Sequence, residues 1–307
     1  MNIVMAGATG FLGRPLAAAL VADGHTVVIL SRSGRSSVPG VRTVAWDPQR
    51  PAARWAAELE GAAAVVNLAG EPIADHRWTA AQKHRIEESR VTATRRIAEV
   101  IAQSREPAAV LVSGSGVGFY GRCGDEIVTE ETGAGSDFLS GVCQRWEAHA
   151  VGASSSATRV ACIRTGLVLA HDGGALARML LPFRLGLGGR LGSGRQYWPW
   201  IHRQDWVDLV RFVLRTPGAA GPINATAPEP VTNAAFTRAM GRALGRPTIA
   251  AVPAFALRIA LGEMADSLLL AGQRAVPAKA SKLGFKFAYE SLPAALEDVL
   301  SRGIRST

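Results

Sequence analysis

No stretch of this chain holds the roughly eighteen consecutive apolar residues that a bilayer-spanning helix needs. Nor does Met1–Met5 carry a basic leader ahead of an apolar segment, so no cleaved signal peptide is expected. The chain has no Cys-x-x-Cys pair. Its three cysteines, Cys123, Cys143 and Cys162, are odd in number and scattered, which argues against a disulfide framework or a structural zinc site and for a reducing compartment. The cytoplasm is therefore the expected location, with no membrane partner and no metal. Lysine is scarce too: Lys83, Lys279, Lys282 and Lys286 are the full set, so the net charge of +9 rests on arginine. The arginines are spread along the chain rather than gathered in a block. They read as a solvated basic surface with a few anion-binding positions, and no nucleic-acid partner is expected.

What is present is a folding sequence. Hydrophobic residues make up 48% of the 307 and charged ones only 19%, enough to bury a large core and too regular for disorder. Short β-branched runs alternate with amphipathic stretches. Strands are expected at 2–6, 26–30, 41–45, 63–67, 108–113 and 158–164, and helices at 11–23, 79–103 and 136–151. That alternation predicts an α/β fold, a doubly wound parallel Rossmann sheet whose strand ends share one ligand-binding edge. After Thr165 the texture changes. Residues 185–200 are glycine-rich and end in Tyr197-Trp198-Pro199-Trp200, which suits a loop with strand pieces facing the substrate. A helix at 202–216, a strand at 221–225, a helix at 231–244 and a tail of short helices follow. We expect a cofactor domain over 1–165, rejoined by about 203–225, and a smaller α+β substrate-side and helical region over 166–307.

The strongest local signal is Gly7-Ala8-Thr9-Gly10-Phe11-Leu12-Gly13, which follows a strand and opens a helix. Gly7 allows the tight turn, Gly10 lets a pyrophosphate approach the backbone, and Gly13 lets the helix pack close. The helix N-terminus offers free N–H groups to phosphates. The second strand ends Leu30-Ser31-Arg32-Ser33-Gly34-Arg35, with no acid to take ribose hydroxyls. A guanidinium pairs with a 2′-phosphate where a carboxylate would repel it, so Ser31 and Arg32 favour NADP(H) over NAD(H). The fourth strand ends Asn67-Leu68-Ala69-Gly70, small enough to pass close to a cofactor. Arg90, beside Ser89, either reaches back to the pyrophosphate or lies on the surface. The expected cofactor-binding set is Gly7, Thr9, Gly10, Phe11, Leu12, Gly13, Ser31, Arg32, Leu68, Ala69, Gly70, Arg90 and Val168.

The glycine motif, the Asn-Leu-Ala-Gly strand end and the run Ser113-Gly-Ser-Gly-Val-Gly-Phe-Tyr-Gly121 resemble extended short-chain dehydrogenases/reductases of the epimerase/dehydratase type. Arg77-Trp78-Thr79, Ser89-Arg90-Val91, Gly135–Leu139, Leu181-Pro182-Phe183, Gly194-Arg195-Gln196, Trp198–His202 and Gly262-Glu263-Met264 are similar to one subgroup. It is the YfcH-like, SulA-labelled epimerase family proteins, which carry a short C-terminal domain of unassigned function. The resemblance spans nearly the whole chain. It implies an NADP-binding Rossmann domain and leaves the substrate open.

One departure from the wider superfamily bears on chemistry. Those enzymes use Tyr-x-x-x-Lys, but Tyr120, Tyr197 and Tyr289 are followed four residues on by Gly124, Ile201 and Pro293. With Glu147 taken as the acid that follows the motif, Leu139 and Cys143 stand in the tyrosine and lysine places. Ser115 sits where the family keeps a substrate-polarising serine, and Tyr120 either acts as an acid beside it or merely packs. Ser115 and Tyr120 are the candidate catalytic residues. Asp125, Glu126, Glu130 and Glu131 read as a solvated acidic loop. Arg195, Gln196, Tyr197, Trp198, Trp200 and His202 either face a flat polar substrate or close the small region on the large one, and His202 by itself reads as a structural hydrogen-bonder. Two functions stay open: an NADP-dependent epimerase or oxidoreductase acting on a small molecule, and a catalytically silent NADP(H)-binding regulator or scaffold. A homodimer is the candidate assembly.

Overall fold

The computed structural model describes residues 1–50 and 54–305. Among these, seven strands form one sheet: β1 (Asn2–Ala6), β2 (Thr26–Ser31), β3 (Arg42–Ala45), β4 (Ala64–Asn67), β5 (Val110–Gly116), β6 (Arg159–Thr165) and β7 (Gly221–Ala225). Their order is β7-β6-β5-β4-β1-β2-β3, and every neighbouring pair is parallel. Helices α1 (Gly13–Ala22), α2 (Ala80–Gln103) and α3 (Phe138–Val151) lie between β1 and β2, β4 and β5, and β5 and β6. Helices α4 (Gly174–Arg184) and α5 (Arg203–Arg215) lie between β6 and β7, and α6 (Asn233–Leu244), α7 (Ala254–Leu261), α8 (Ala278–Lys282) and α9 (Leu292–Arg305) follow.

The strands read as near-continuous apolar runs because both faces of the sheet are covered. Successive side chains point to opposite faces. Ile3, Met5, Val27, Ile29 and Val66 thus pack with Leu16 and Leu20 of α1 and Trp206 and Val210 of α5. Val4, Ala6, Val28, Leu30 and Val65 pack on the other face with Ile97 and Ile101 of α2 and Ala150 of α3. A third core joins α4, α6 and α9 through Leu176, Leu180, Phe236, Met240 and Leu296, with Trp198 and Trp200 between them. This is the smaller region, and short strand pairs separate from the central sheet run through it. Leu167–Leu169 runs parallel to Trp200–His202, and Gly189–Leu191 runs parallel to Ala250–Val252.

Three elements differ from expectation in ways that matter. β5 runs on to Gly116, so Ser115 belongs to the strand and not to the loop beyond it. Its register with β6 pairs Ser115 with Arg164, and that partner keeps the strand going. Val231–Thr232, expected in a helix, instead pairs antiparallel with Tyr197–Trp198, and Thr232 caps α6 by accepting from the Ala235 N–H. α4 was not expected at all; its sequence carries Pro182 and sits next to the glycine-rich loop, which hides its periodicity.

The tail is tied to the sheet layer by Asp205 in the first turn of α5. Its buried carboxylate accepts from the N–H groups of Ala288 at 2.8 Å and Tyr289 at 3.0 Å. Burial pushes its pKa up, against those two hydrogen bonds. Asp205→Ala would strand two N–H groups and should cost about 2–4 kcal/mol in urea unfolding, with Asp205→Asn less damaging. An unchanged midpoint in the alanine variant would refute this anchor.

Candidate functional site

The carboxyl ends of β1, β2, β4 and β5 meet along one edge. At β1 the turn is built by close approach. Gly7 has φ +76°, and a Cβ there would lie 2.5–2.7 Å from the Leu68 and Ala69 backbone. A Cβ at Gly13 would lie 2.2 Å from the Gly7 oxygen, so α1 begins pressed against the turn. Gly10 differs: its missing Cβ would meet only the Gly7 oxygen, at 3.4 Å. The backbone is bare there, and the first turn of α1 stands behind it. The Phe11 ring is held by the backbone at Gly173 and Gly174, and a Cβ at Gly174 would lie 3.6 Å from the carbonyl oxygen of buried Val168.

At the end of β2, Ser31 is buried and donates to the Arg35 carbonyl at 3.1 Å. Arg32 and Arg35 are exposed, and no carboxylate among the described residues pairs with either. At the end of β4, Asn67 is fully buried, donates to Thr94 Oγ1 and accepts from the Ala69 N–H. Gly70 lies against Arg90, where a Cβ would be 3.1 Å from Cζ. Arg90 is thus not a surface arginine. Its guanidinium stacks 5.2 Å from the Trp146 ring and donates to the Ile86 carbonyl, and burial pulls its pKa down to about 10. No carboxylate pairs with it among the described residues.

Beyond β5 the structure assembles a network that sequence reading did not anticipate. Arg164 of β6 and Glu147 of α3 form a bidentate pair, with both N···O distances 2.8 Å, and both side chains are buried. Ser115 Oγ donates to Glu147 Oε1 at 2.6 Å. Arg164 also donates to the Tyr120 hydroxyl at 3.0 Å, and that hydroxyl donates to Asn224 Oδ1 at 2.7 Å. Asn224 N–H in turn donates to Glu130, whose carboxylate also takes the Lys279 N–H. Glu130 is therefore a buried anchor and not part of a solvated loop. Burial raises the Tyr120 pKa and outweighs Arg164 and Asn224, which both act to lower it, so the phenol is a weaker acid than a free tyrosine. The signal for this network was faint: Arg164 is a charge inside an otherwise apolar strand, and Glu147 is an acid on a buried helix face.

Cys143 of α3 faces this strand end, and Leu139 of the same helix packs against Gly118 in the turn beyond it. Cys143 lies 3.7 Å from the Gly116 carbonyl, and burial pushes its thiol up to about 11. The two candidates Ser115 and Tyr120 are thus joined through Glu147 and Arg164, with a buried leucine and a protonated thiol beside them.

The aromatic cluster resolves toward packing. Trp200 is fully buried and donates to the Glu229 carbonyl, Trp198 meets Phe236 edge-on at 5.3 Å, and Gln196 bonds the Leu191 and Leu269 carbonyls. His202 caps α5, accepting from Gln204 N–H at Nδ1 and facing Asp298 from Nε2 at 3.1 Å. Burial lowers its pKa to about 4 in spite of Asp298.

Residues 3–225 match the model of the NAD dependent epimerase/dehydratase family, and 252–299 match a domain of unknown function, DUF1731. The chain belongs to the NAD-dependent epimerase/dehydratase family. An epimerase family protein of Mycobacterium bovis is 42% identical over 96% of each chain. The crystal structure of human epimerase family protein SDR39U1 with NADPH is 34% identical, covering 98% of this chain and 99% of that one, with a TM-score of 0.88. A Corynebacterium glutamicum structure described as a nucleoside-diphosphate sugar epimerase is 36% identical, with a TM-score of 0.80 over 98% of this chain and 58% of that one.

Two measurements probe this site. Glu147→Ala leaves the Arg164 guanidinium buried without its partner and should cost about 3–5 kcal/mol, whereas Glu147→Leu with Arg164→Met should recover most of that loss. Additive losses in a denaturation cycle would contradict the pairing. His202 should also make stability depend on pH. Its folded pKa, about 4, lies below the unfolded value near 6.5. The unfolded chain therefore takes up the proton first, and this contribution is full above pH 6.5 and drains away as pH falls toward 4. His202→Asn, which can still cap α5, should flatten the slope of stability in that window, an effect on the order of 1–2 kcal/mol. An equally steep slope in the variant would remove His202 from the account.

Proposed function

We propose that this protein binds NADP(H) along the cleft over Gly7–Gly13 and exchanges hydride between it and a small-molecule substrate at the carboxyl edge of the sheet. The observation that carries the reading is the bare backbone at Gly10 beside an acid-free β2 end with two unpaired arginines. An N-terminal helix turn behind open backbone suits a pyrophosphate. Gly7, Thr9, Gly10, Phe11, Leu12 and Gly13 would hold it, Ser31 and Arg32 the 2′-phosphate, and Leu68, Ala69, Gly70, Arg90 and Val168 the remainder. The NADPH bound by the human relative supports this choice of cofactor. When bound, the dinucleotide supplies the hydride donor or acceptor.

Ser115 is the residue we place against the substrate. A carboxylate can only accept, so the Ser115 hydrogen is committed to Glu147 and its oxygen is left as an acceptor, with the Cys143 thiol in hydrogen-bonding reach. In that state Ser115 orients a substrate hydroxyl; polarising a carbonyl requires the hydrogen to swing away from Glu147. Tyr120 has its own proton committed to Asn224 and in this reading supports Arg164. Because the Corynebacterium relative is described as a nucleoside-diphosphate sugar epimerase, nucleotide sugars are the first substrates to try. On its motifs the chain stands, in this reading, with the YfcH-like proteins.

A second reading, a silent NADP(H)-binding regulator, is favoured by one observation: the helix face beside Ser115 presents Leu139 and a thiol shifted upward by burial. Turnover separates the two. Hydride transfer from NADPH or to NADP+ should be followed by nicotinamide absorbance over a panel of nucleotide sugars, with Ser115→Ala losing about 10²-fold or more in rate. Tight NADPH binding with no turnover across the panel would transfer the case to the regulator.

The cofactor choice has its own test. One charge-assisted pair to the 2′-phosphate should make NADPH bind about tenfold or more tightly than NADH, and Arg32→Asp should erase that margin. Equal affinities in the unsubstituted protein by fluorescence titration would sink the assignment of Arg32. A margin surviving in Arg32→Asp would move the contact to Arg35.

A further inference from the structure

We propose that the C-terminal end of α6 is a second anion site, separate from the cofactor cleft, that takes a multiply charged phosphate group. Arg238 and Arg242 stand four residues apart on α6 and share a face. The helix stops at Gly245, in the left-handed region at φ +62°. There the Arg246 N–H turns back to bond the Gly241 carbonyl at 2.8 Å, the signature of a chain folding back over its last helical turn. Arg246 thereby joins the other two arginines around one pocket of about 380 Å³. Gly241 lets that turn close: a Cβ on it would lie 2.4 Å from Thr248 Cγ2 and 2.8 Å from the Arg246 carbonyl oxygen.

The charge arrangement is what asks for a ligand. Several arginines elsewhere are paired, Arg178 with Asp75, Arg203 with Asp172, Arg211 with Asp23 and Arg258 with Asp266, and others, such as Arg14, Arg32 and Arg105, stand singly in solvent; what sets α6 apart is that three arginines line one pocket. Among the described residues no carboxylate pairs with Arg238, Arg242 or Arg246. The negative end of the helix dipole explains one cation in the last turn, and Arg242 fills that place. It does not explain Arg238 a turn earlier, or Arg246 beyond the helix. Three arginines line one concavity, and an anion bound there would offset the mutual repulsion of their charges. Their planar forks match phosphate oxygens two at a time, and three forks suit a group with several oxygens and at least two charges. None of these residues belongs to the glycine turn, and α6 packs on α4 and α9 rather than on α1. The two sites should therefore fill independently.

Such a phosphate arrives either free in solution or on a lipid headgroup, and Ile249, 94% exposed just past the pocket, makes the second source worth an arm of its own. The test titrates the full-length protein with inorganic pyrophosphate by calorimetry, with and without saturating NADPH. In parallel it floats the protein with phosphatidylcholine vesicles, with and without phosphatidylglycerol. Pyrophosphate should bind in both cofactor states, more weakly as salt is added. Arg238→Ser with Arg242→Ser should weaken it by about tenfold or more while the thermal shift given by NADPH is unchanged. Arg246→Ser, which lies outside the helix, is the second variant should the first unfold. Pyrophosphate binding without flotation assigns a soluble ligand. Phosphatidylglycerol-dependent flotation, lost in the same variants, assigns a headgroup. The proposal is overturned if neither probe binds, if the variants bind as the unsubstituted protein does, or if NADPH displaces pyrophosphate.

Discussion

A guanidinium buried at the end of a central strand must be given a counter-charge, because leaving it unpaired in a low-dielectric interior costs several kcal/mol. Arg164 and Glu147 meet that demand, and much of the sheet's functional edge follows from it. The pair joins β6 to α3. Through Ser115 it reaches β5, through Tyr120 the turn after β5, and through Asn224 it reaches β7. Glu130 then carries the connection on to Lys279 in the tail. Segments far apart in the chain are fixed at one point by hydrogen bonds that are nearly all charge-assisted or fully buried.

The same network decides what chemistry the edge can offer. In the wider superfamily a tyrosine and a lysine on the helix after β5 share the acid–base work. Here that helix sets Cys143 against the Gly116 carbonyl and Leu139 against Gly118, and its carboxylate at this edge is Glu147, one turn beyond Cys143. A carboxylate neutralised by arginine orders its neighbours without donating a proton. Ser115 is left as an acceptor beside the Cys143 thiol, and the Tyr120 hydroxyl donates to Asn224 and accepts from Arg164. Arg90, a cation that no carboxylate among the described residues pairs with, comes from a different helix and rests on Gly70 at the end of β4. Charge at this edge has thus been redistributed across α2, α3 and β6 rather than carried by one helix.

The smaller region is governed by a different constraint. Its tryptophans and Gln196 read in sequence either as a binding surface or as a patch closing the small region on the large one, and in the structure Trp198, Trp200 and Gln196 are spent on packing α4, α6 and α9 together and on capping backbone carbonyls. Gly188 and Gly189 are glycines because Phe183 and the Ala250 backbone occupy the space a side chain would need. An aromatic cluster beside a glycine-rich loop therefore reports close packing as readily as it reports a ligand.

The sequence by itself determined the sheet and its cofactor turn. Strand periodicity and the spacing of Gly7, Gly10 and Gly13 are local properties, set by side-chain alternation and by the conformations glycine alone adopts, so they are legible without the fold. The end of β2, with Ser31 and Arg32 and no acid, is equally local. What only the tertiary structure decided is every feature that depends on residues distant in the chain. Ser115 sits inside β5 because Arg164 stands beside it in register. Glu130 is an anchor because Asn224, some ninety residues on, needs its carboxylate. Arg90 is half-buried because Gly70 and Trp146 lie against it. Burial and pairing are pairwise facts about three-dimensional neighbours, and a one-dimensional pattern records only one partner of each pair.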